Sequence, residues 1–369
     1  MADPLPPGST IGILGGGQLG RMLAQAAAKL GLRACVMAPE RDSPAFDVAA
    51  AHICADYDDE GALRRLAEEA DVVTFEFENV TARALEVLES ATRVAPPRRA
   101  LEITQDRIAE KSFVDGLGLA TAPWAPVSGR AALRQALERL AGMGEHGPFF
   151  LKMARQGYDG KGQMRLAGAD DLGEAADWLG ERAAVLEGAV AFEIELSMVA
   201  VRAADGQMAF YDPPHNTHRG GVLHESLVPA SIPASVVEQA QDHARSIAEA
   251  LDYVGVIAVE MFLEGSGEGF RLSINEIAPR VHNSGHWTIE ACTVSQFENH
   301  IRAVAGWPLG STRRHSDARM VNLLGRDVDA AFTLIAENPA RSLHLYGKRE
   351  ARPGRKMGHF VEILPRKEC

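Results

Sequence analysis

The chain predicts an α/β unit of Rossmann type at its N-terminus, followed by mixed α+β units. Three stretches carry this prediction. Residues 10–14 form an apolar strand that runs into Gly15-Gly16-Gly17-Gln18-Leu19-Gly20, a helical stretch over 21–30 and a second strand at 33–37. That order is strand, G-x-G-x-x-G, helix, strand, with the helix N-terminus turned to an anion. Further on, Phe149-Phe150-Leu151-Lys152 reads as an apolar strand ending on a lysine, and a loop with Gly157, Gly160 and Gly162 follows. Glycine lets such a loop bring bare backbone N–H groups close to phosphate oxygens. Finally, the runs 255–262 and 270–277 are apolar strands, each interrupted by one glutamate, Glu260 and Glu276, and joined by a glycine-rich turn that marks a hairpin.

At 369 residues the chain is long enough for two or three domains. Its formal charge of −12 argues against non-specific nucleic-acid or anionic-membrane binding, so an anionic substrate needs a local basic pocket. Cys35, Cys54, Cys292 and Cys369 form no C-x-x-C pair, and neither a zinc site nor a disulfide framework is expected. No stretch reads as a membrane span or a signal peptide, and a cytoplasmic location is the expectation.

Within the first unit, the second strand is followed by Ala38-Pro39, and Glu40 stands beyond the proline. An NAD site wants an acidic residue at that strand tip, so a phosphate-bearing ligand is the better reading of the glycine fingerprint. The run Asp71 to Val80 reads as a buried strand whose tip carries Glu76 and Glu78 on one face, able to accept from sugar hydroxyls or an amine. Val94-Ala95-Pro96-Pro97 closes the unit. A helix starting near Thr104 then places Arg107 and Lys111 on one face.

Helices are expected near 131–143 and 170–179, and a strand over 184–190. A further strand carries Glu193, Glu195 and Ser197 on one face. In the hairpin, a plausible pairing brings Glu260 and Glu276 together. Two like charges in a partly buried site need a cation between them. A hard divalent metal fits, and Mg²⁺ held by few carboxylates plus substrate phosphates fits best. After the hairpin, Arg280 is placed to bind a planar anion through two parallel hydrogen bonds. No helix is expected across Asn283-Ser284-Gly285, so His282 and His286 read as polar site contacts rather than as a zinc pair. Phe297, Ile301 and Trp307 are interface or core.

Gly15 to Met22, Gly157 to Gln163, Arg280 to Trp287 and Arg352 to His359 occur in this order over nearly the whole chain. This combination resembles the N5-carboxyaminoimidazole ribonucleotide synthetase family, ATP-grasp enzymes of purine synthesis. The resemblance implies an ATP-grasp fold with a Rossmann-like (pre-ATP-grasp) domain at 1–103. An ATP-grasp domain at 104–300, with its lid at about 120–186, and a small C-terminal β-rich domain at 301–369 complete it. It implies ATP contacts at Arg107, Lys152, Gly157, Tyr158, Asp159, Gly160, Lys161, Gly162 and Gln163. Further ATP contacts fall at the hinge Glu187, Gly188, Ala189 and Val190, and at Glu195, His218, Asn275 and Glu276. Glu260 and Glu276 match the ligands of two Mg²⁺ ions. Gln18, Leu19, Glu76, Glu78, Asn283, Lys348, Arg355 and Lys356 would hold 5-aminoimidazole ribonucleotide. Bicarbonate would meet Arg280, His282 and Asn283, with Tyr158 and Asp159 facing the second substrate. A homodimer is implied as well.

Two departures stand out: Gln156 replaces a glycine found in many relatives, and the chain stops soon after Leu364, where relatives continue into a helix. The rival readings are a formate-dependent glycinamide ribonucleotide ligase of the same fold and an NAD-dependent oxidoreductase. The latter leaves the Glu260/Glu276 hairpin without a purpose.

Overall fold

Strands whose residues are apolar on both faces belong at the centre of a covered parallel sheet, and residues 10–14 and 72–75 follow that rule. The computed structural model, which describes residues 3–155, 157, 162–265 and 269–366, places them so. The strands β1 (Thr10–Leu14), β2 (Arg33–Ala38), β3 (Ala51–Cys54), β4 (Val72–Phe75) and β5 (Arg93–Val94) form a sheet of order β3-β2-β1-β4-β5, every pair parallel. The helices α1 (Gln18–Lys29), α2 (Glu60–Glu69) and α3 (Ala82–Glu89) connect these strands. Asp59 and Thr81 cap α2 and α3 by accepting from the backbone N–H of Ala62 and Ala84. β4 ends at Phe75, earlier than the run 71–80 predicts. Glu76 turns back beneath the glycine loop, and the strand ladder stops with it.

The helices α4 (Arg98–Thr104) and α5 (Arg107–Gly116) lead out of this unit. Asp106 accepts from the N–H groups of Ile108 and Ala109 at the start of α5, while Arg107 N donates to Ala154 O of the next unit. That unit is an antiparallel sheet of order β6-β9-β7-β8, made of β6 (Trp124–Ser128), β7 (Phe149–Met153), β8 (Gln163–Leu166) and β9 (Ala183–Gly188). The helices α6 (Gly129–Gly142) and α7 (Leu172–Leu179) close a separate small core with it around Leu133, Leu140, Leu151 and Leu186.

The largest sheet holds β10 (Ile194–Arg202), β11 (Met208–Phe210), β12 (His215–Arg219), β13 (Val222–Val228), β14 (Gly255–Glu264), β15 (Arg271–Ala278), β16 (Asp317–Leu324), β17 (Arg341–Leu345) and β18 (Lys356–Leu364). Among the described residues its order is β15-β14-β10-β12-β13-β16-β18-β17, with β11 beside β10. The helix α8 (Ala234–Ala250) covers one face, burying Val236, Ala240, Ala244 and Ile247. The short α9 (Thr288–Ala291), α10 (Gln296–Val304) and α11 (Ala331–Glu337) complete the chain's helices among the described residues. The C-terminal strands join the large sheet directly, since β13 pairs with β16 from Glu225↔Val321 to Val228↔Ala318. The boundary expected at 300 falls inside α10, the one at 104 is the last residue of α4, and the lid end at 186 falls inside β9. Among the described residues no helix is long and apolar enough to cross a membrane.

α10 lies between the first sheet and the large one. Phe297 and Ile301 are buried with Ile11, Leu23, Val256 and Trp287 in one core, so they are core residues within the single chain. Each contributes roughly 1.5–3 kcal/mol of burial free energy. Trp307 is half-buried and donates from Nε1 to Leu5 O at 2.7 Å.

His300 of α10 ties the two sheets by hydrogen bonds. Its Nδ1 accepts from Val256 N at 3.1 Å, and its Nε2 lies 2.8 Å from Thr74 Oγ1. The Val256 contact requires an unprotonated Nδ1, so the ring is held neutral with the proton on Nε2. Burial lowers its pKa from 6.5 to about 3. Its stabilising share is therefore complete above the unfolded value of 6.5 and is lost as pH falls toward about 3. The loss between pH 6.5 and pH 5 is expected to be about 2 kcal/mol for this group. Urea unfolding at these two pH values should show a steeper drop in the native chain than in His300→Gln. Equal drops would remove the assignment.

Candidate active site

A cavity of about 590 Å³ opens between the three sheets. It is lined by Gln18 and Leu19 of the glycine loop, Glu76 and Glu78 after β4, and Arg107 and Glu110 of α5. Lys152, Gly157 and Gln163 reach it from the lid sheet; Glu195, His218, Glu260, Asn275 and Glu276 from the large sheet; Arg280, His282 and Asn283 from the segment after β15; and Lys356 from β18. Tyr158, Asp159, Gly160 and Lys161 lie outside the described residues, as does Gln156.

The glycine loop holds an anion, but an internal one. Glu76 accepts from Gly17 N at 2.6 Å and from Gly20 N at 2.9 Å, so its carboxylate fills the N-terminus of α1. Gly15 has a φ of +116°, and a Cβ there would lie 2.1 Å from Glu76 Cγ. Burial raises the Glu76 pKa, and the two N–H groups oppose that rise. The phosphate expected at this loop therefore meets amides already taken by a carboxylate. Glu76 and Glu78 both line the cavity, but with different partners: Glu78 pairs with Arg280 at 2.5 Å.

Glu260 and Glu276 stand directly opposite each other in the β14–β15 ladder, and a bulge after Glu260 leaves Asn275 as the extra residue. Each carboxylate has its own partner. Arg107 Nη1 lies 3.2 Å from Glu276, and His282 Nε2 lies 3.2 Å from Glu260. Asn275 Nδ2 also donates to Glu260 at 3.4 Å. Burial pushes the Glu260 pKa up, but the hydrogen bond and charge of His282 outweigh it and hold the group well below the usual carboxylate range. Among the described residues no group of three or more His, Cys, Asp and Glu side chains is arranged to hold a metal ion. Two carboxylates with phosphate and water oxygens make a donor set suited to Mg²⁺.

The lid side is basic. Lys152 Nζ donates to Glu187 at 2.8 Å, and Lys111 Nζ lies 3.2 Å from the other oxygen of that carboxylate. Burial would raise the Glu187 pKa, yet Lys152 and Lys111 bring it down to about 2. The hinge residues Glu187, Gly188, Ala189 and Val190 do not line the cavity; Gly188 N and Ala189 N donate to Pro123 O and Pro148 O. Gly162 likewise stands back from it. His218 Nδ1 pairs with Glu195 at 3.0 Å, which raises the histidine's pKa against the opposing effect of burial.

Arg280 is engaged by Glu78, and its Nε is buried without a partner among the described residues. His282 is held at four points. Ser284 Oγ lies 2.8 Å from its Nδ1, Glu260 holds Nε2, and Gln296 grips its backbone N–H and C=O at 2.9 and 2.6 Å. Asn283 and Asn322 bond to each other through both amide groups. A short 3₁₀ turn over Asn283–Gly285 replaces the irregular stretch expected there. His286 is no site contact: it is fully buried against Phe297, Tyr346 and His359, because the turn points it into the core. At the C-terminal end, Lys356 lines the cavity, while Arg355 does not. Gly354 at φ +74° turns the chain there, and Arg355 Nη1 goes to Glu350 O. Lys348 stands behind Lys356, donating to its carbonyl at 2.8 Å, and its charge opposes the rise in the Glu76 pKa.

The sequence reading missed Glu110, Phe192 and Phe262 as lining residues. Glu110 accepts from Ile277 N at 2.7 Å, and burial raises its pKa to about 8. Its place three residues after Arg107 on the same helix face was the available signal. Phe192 stacks on Phe262 with ring centroids 4.5 Å apart at the cavity edge; no sequence pattern pairs them.

With this geometry described, likeness to known proteins is informative. Residues 9–105 match the ribonucleotide synthetase preATP-grasp domain, 112–297 the ATP-grasp domain, and 318–368 the phosphoribosylaminoimidazole carboxylase C-terminal domain. Fold and site together define an ATP-grasp ligase. The chain is 50% identical over 364 residues to the N5-carboxyaminoimidazole ribonucleotide synthase of Brucella melitensis, covering 98% of both. The Staphylococcus aureus N5-carboxyaminoimidazole synthetase in complex with ADP superposes with a TM-score of 0.92 at 37% identity, covering 98% of this chain and 95% of that one. An Aspergillus clavatus N5-carboxyaminoimidazole synthase with ADP and 5-aminoimidazole ribonucleotide gives a TM-score of 0.89 at 32% identity, covering 98% and 95%. The chain belongs to the N5-carboxyaminoimidazole ribonucleotide synthetase family of purine biosynthesis.

Glu76→Ala would strip the buried N–H groups of Gly17 and Gly20 of their acceptor. The expected stability loss is about 1–3 kcal/mol, read as a lower midpoint of urea unfolding. An unchanged midpoint would show that water replaces the carboxylate without cost.

Proposed function

We infer that the chain carboxylates the exocyclic amine of 5-aminoimidazole ribonucleotide, using ATP and bicarbonate and releasing ADP and phosphate. The carrying observation is one cavity that holds the Glu260/Glu276 pair together with Arg107, Lys152, His218, Arg280, His282, Asn283 and Lys356. Membership of the family supplies the substrate set.

In this reading a bicarbonate oxygen attacks the γ-phosphorus, the bond to the β-phosphate oxygen breaks, and ADP leaves. The amine nitrogen then attacks the carboxyl carbon of carboxyphosphate, or of CO₂ released from it. The carbon–oxygen bond to phosphate breaks, and the amine gives up a proton. Arg107 and Lys152 neutralise triphosphate charge, and Arg280, His282 and Asn283 orient bicarbonate, so catalysis rests on positioning and electrostatics. Glu260 and Glu276 would hold Mg²⁺, which when bound screens the charge of the transferring phosphoryl group. Lys356 and Gln18 bind the ribonucleotide from the opposite wall, and Glu76 shapes that wall through the glycine loop. Of the proposed proton acceptors Tyr158, Asp159 and His282, only His282 belongs to the described residues, and it lines the cavity. The reading includes a homodimer in the cytoplasm, and light scattering of the purified chain tests the dimer.

The test is ADP release measured with and without each of bicarbonate and 5-aminoimidazole ribonucleotide, with formate in place of bicarbonate as the control. Dependence on bicarbonate and the ribonucleotide is expected; activity with formate instead would favour the glycinamide ribonucleotide ligase. Glu276→Ala is expected to lose at least about 100-fold in ADP release, the scale of losing one charge-stabilising group. Normal turnover of that variant at saturating magnesium would end the metal assignment.

A further inference from the structure

Lys111 is among the largest side chains that the fold buries completely, with 1% of the residue exposed, and nothing in the reaction outlined above uses it. We propose that Lys111 is a positioning residue that holds the Glu187 carboxylate, so that Lys152 is free to leave Glu187 for the phosphates of ATP. This rests on the reading of Lys152 as an ATP contact.

The geometry is a line of three charges. Lys152 Nζ and Lys111 Nζ sit at 2.8 and 3.2 Å from the two oxygens of one carboxylate. Lys152 lines the cavity; Glu187 and Lys111 lie behind it. The Lys111 ammonium makes no hydrogen bond of regular geometry among the described residues, so its contact with Glu187 is an ion contact. One negative and two positive charges leave the group with a net positive charge facing the cavity, which suits a polyanionic ligand.

A buried carboxylate strongly resists losing its cation. If Lys152 were the only partner of Glu187, turning Lys152 toward a phosphate would strand that carboxylate, and the pair would stay shut. With Lys111 present, Glu187 remains paired whichever way Lys152 points. The spacing on α5 makes this possible. Arg107 and Lys111 are one helical turn apart on the same face, and they reach Glu276 of the large sheet and Glu187 of the lid sheet respectively. Lys111 itself does not reach the cavity, so direct phosphate binding is not its task.

The experiment is a double-mutant cycle on the full-length enzyme, with the KM for ATP and kcat read separately and ADP affinity measured by titration calorimetry. Lys111→Met is expected to raise the ATP KM about tenfold with kcat at saturating ATP within about twofold, the pattern of lost ground-state binding. Lys111→Arg should restore most of the affinity. In the Glu187→Gln background, where no carboxylate traps Lys152, Lys111→Met should not raise the KM any further. An ATP KM unchanged in Lys111→Met, or a further rise on adding it to Glu187→Gln, would overturn the proposal. Should Lys111→Met fail to fold, as read by thermal melting, the comparison in the Glu187→Gln background decides alone. Lys152→Ala separates the two levels of the argument. An unchanged ATP KM there overturns the ATP reading of Lys152 and the proposal with it. A raised KM there beside an unaffected Lys111→Met overturns the proposal only.

Discussion

Two carboxylates facing each other across a buried antiparallel ladder are the constraint that the site is built around. Glu260 and Glu276 are in register on β14 and β15, Glu260 buried and Glu276 half-buried, and each is held by a partner. Each partner comes from a different part of the chain: Arg107 from the first turn of α5, and His282 from the segment that leaves β15. Those positions are in turn fixed by others. Asp106 caps α5, Arg107 N reaches Ala154 O of the lid sheet, and Gln296 grips the backbone of His282. The placing of these two partners at one hairpin thus reaches into the lid, the large sheet and α10.

The same logic explains how a protein of net charge −12 keeps four lysine and arginine side chains at its cavity, beside six glutamates. Its cations are mostly held by buried or half-buried carboxylates: Glu78 for Arg280, Glu187 for Lys152 and Lys111, Glu276 for Arg107. The acids are not surplus; they set where each cation points.

Much of this was legible in the sequence where the signal is local. The strand at Thr10–Leu14 appears as the apolar run predicts, and the hairpin pairs Glu260 with Glu276, the two glutamates that interrupt its apolar runs. The order of the motifs pointed to the right family for the same reason. What stayed hidden depends on distant partners. Glu76 read as a strand tip, since nothing local shows that it bends back to Gly17 and Gly20. Lys111 read only as a helix-face neighbour of Arg107, because its partner Glu187 lies far along the chain on the lid sheet. Arg355 and Lys356 are neighbours in one basic tract, and nothing local tells that Arg355 goes to Glu350 O while Lys356 opens β18 and lines the cavity.

The continuity of the large sheet has a consequence for how the molecule is made. β16 adds to β13, β18 to β16, and Lys356 and Asn322 come from these late strands. During synthesis from the N-terminus the glycine loop, the lid and the β14–β15 hairpin emerge first, and the cavity lacks one wall until the last strand has left the ribosome. Pairings between strands so far apart in sequence form slowly. A chain truncated before β18 would keep the glutamate pair yet have no Lys356, so the lining of the cavity depends on β18 as much as the sheet does.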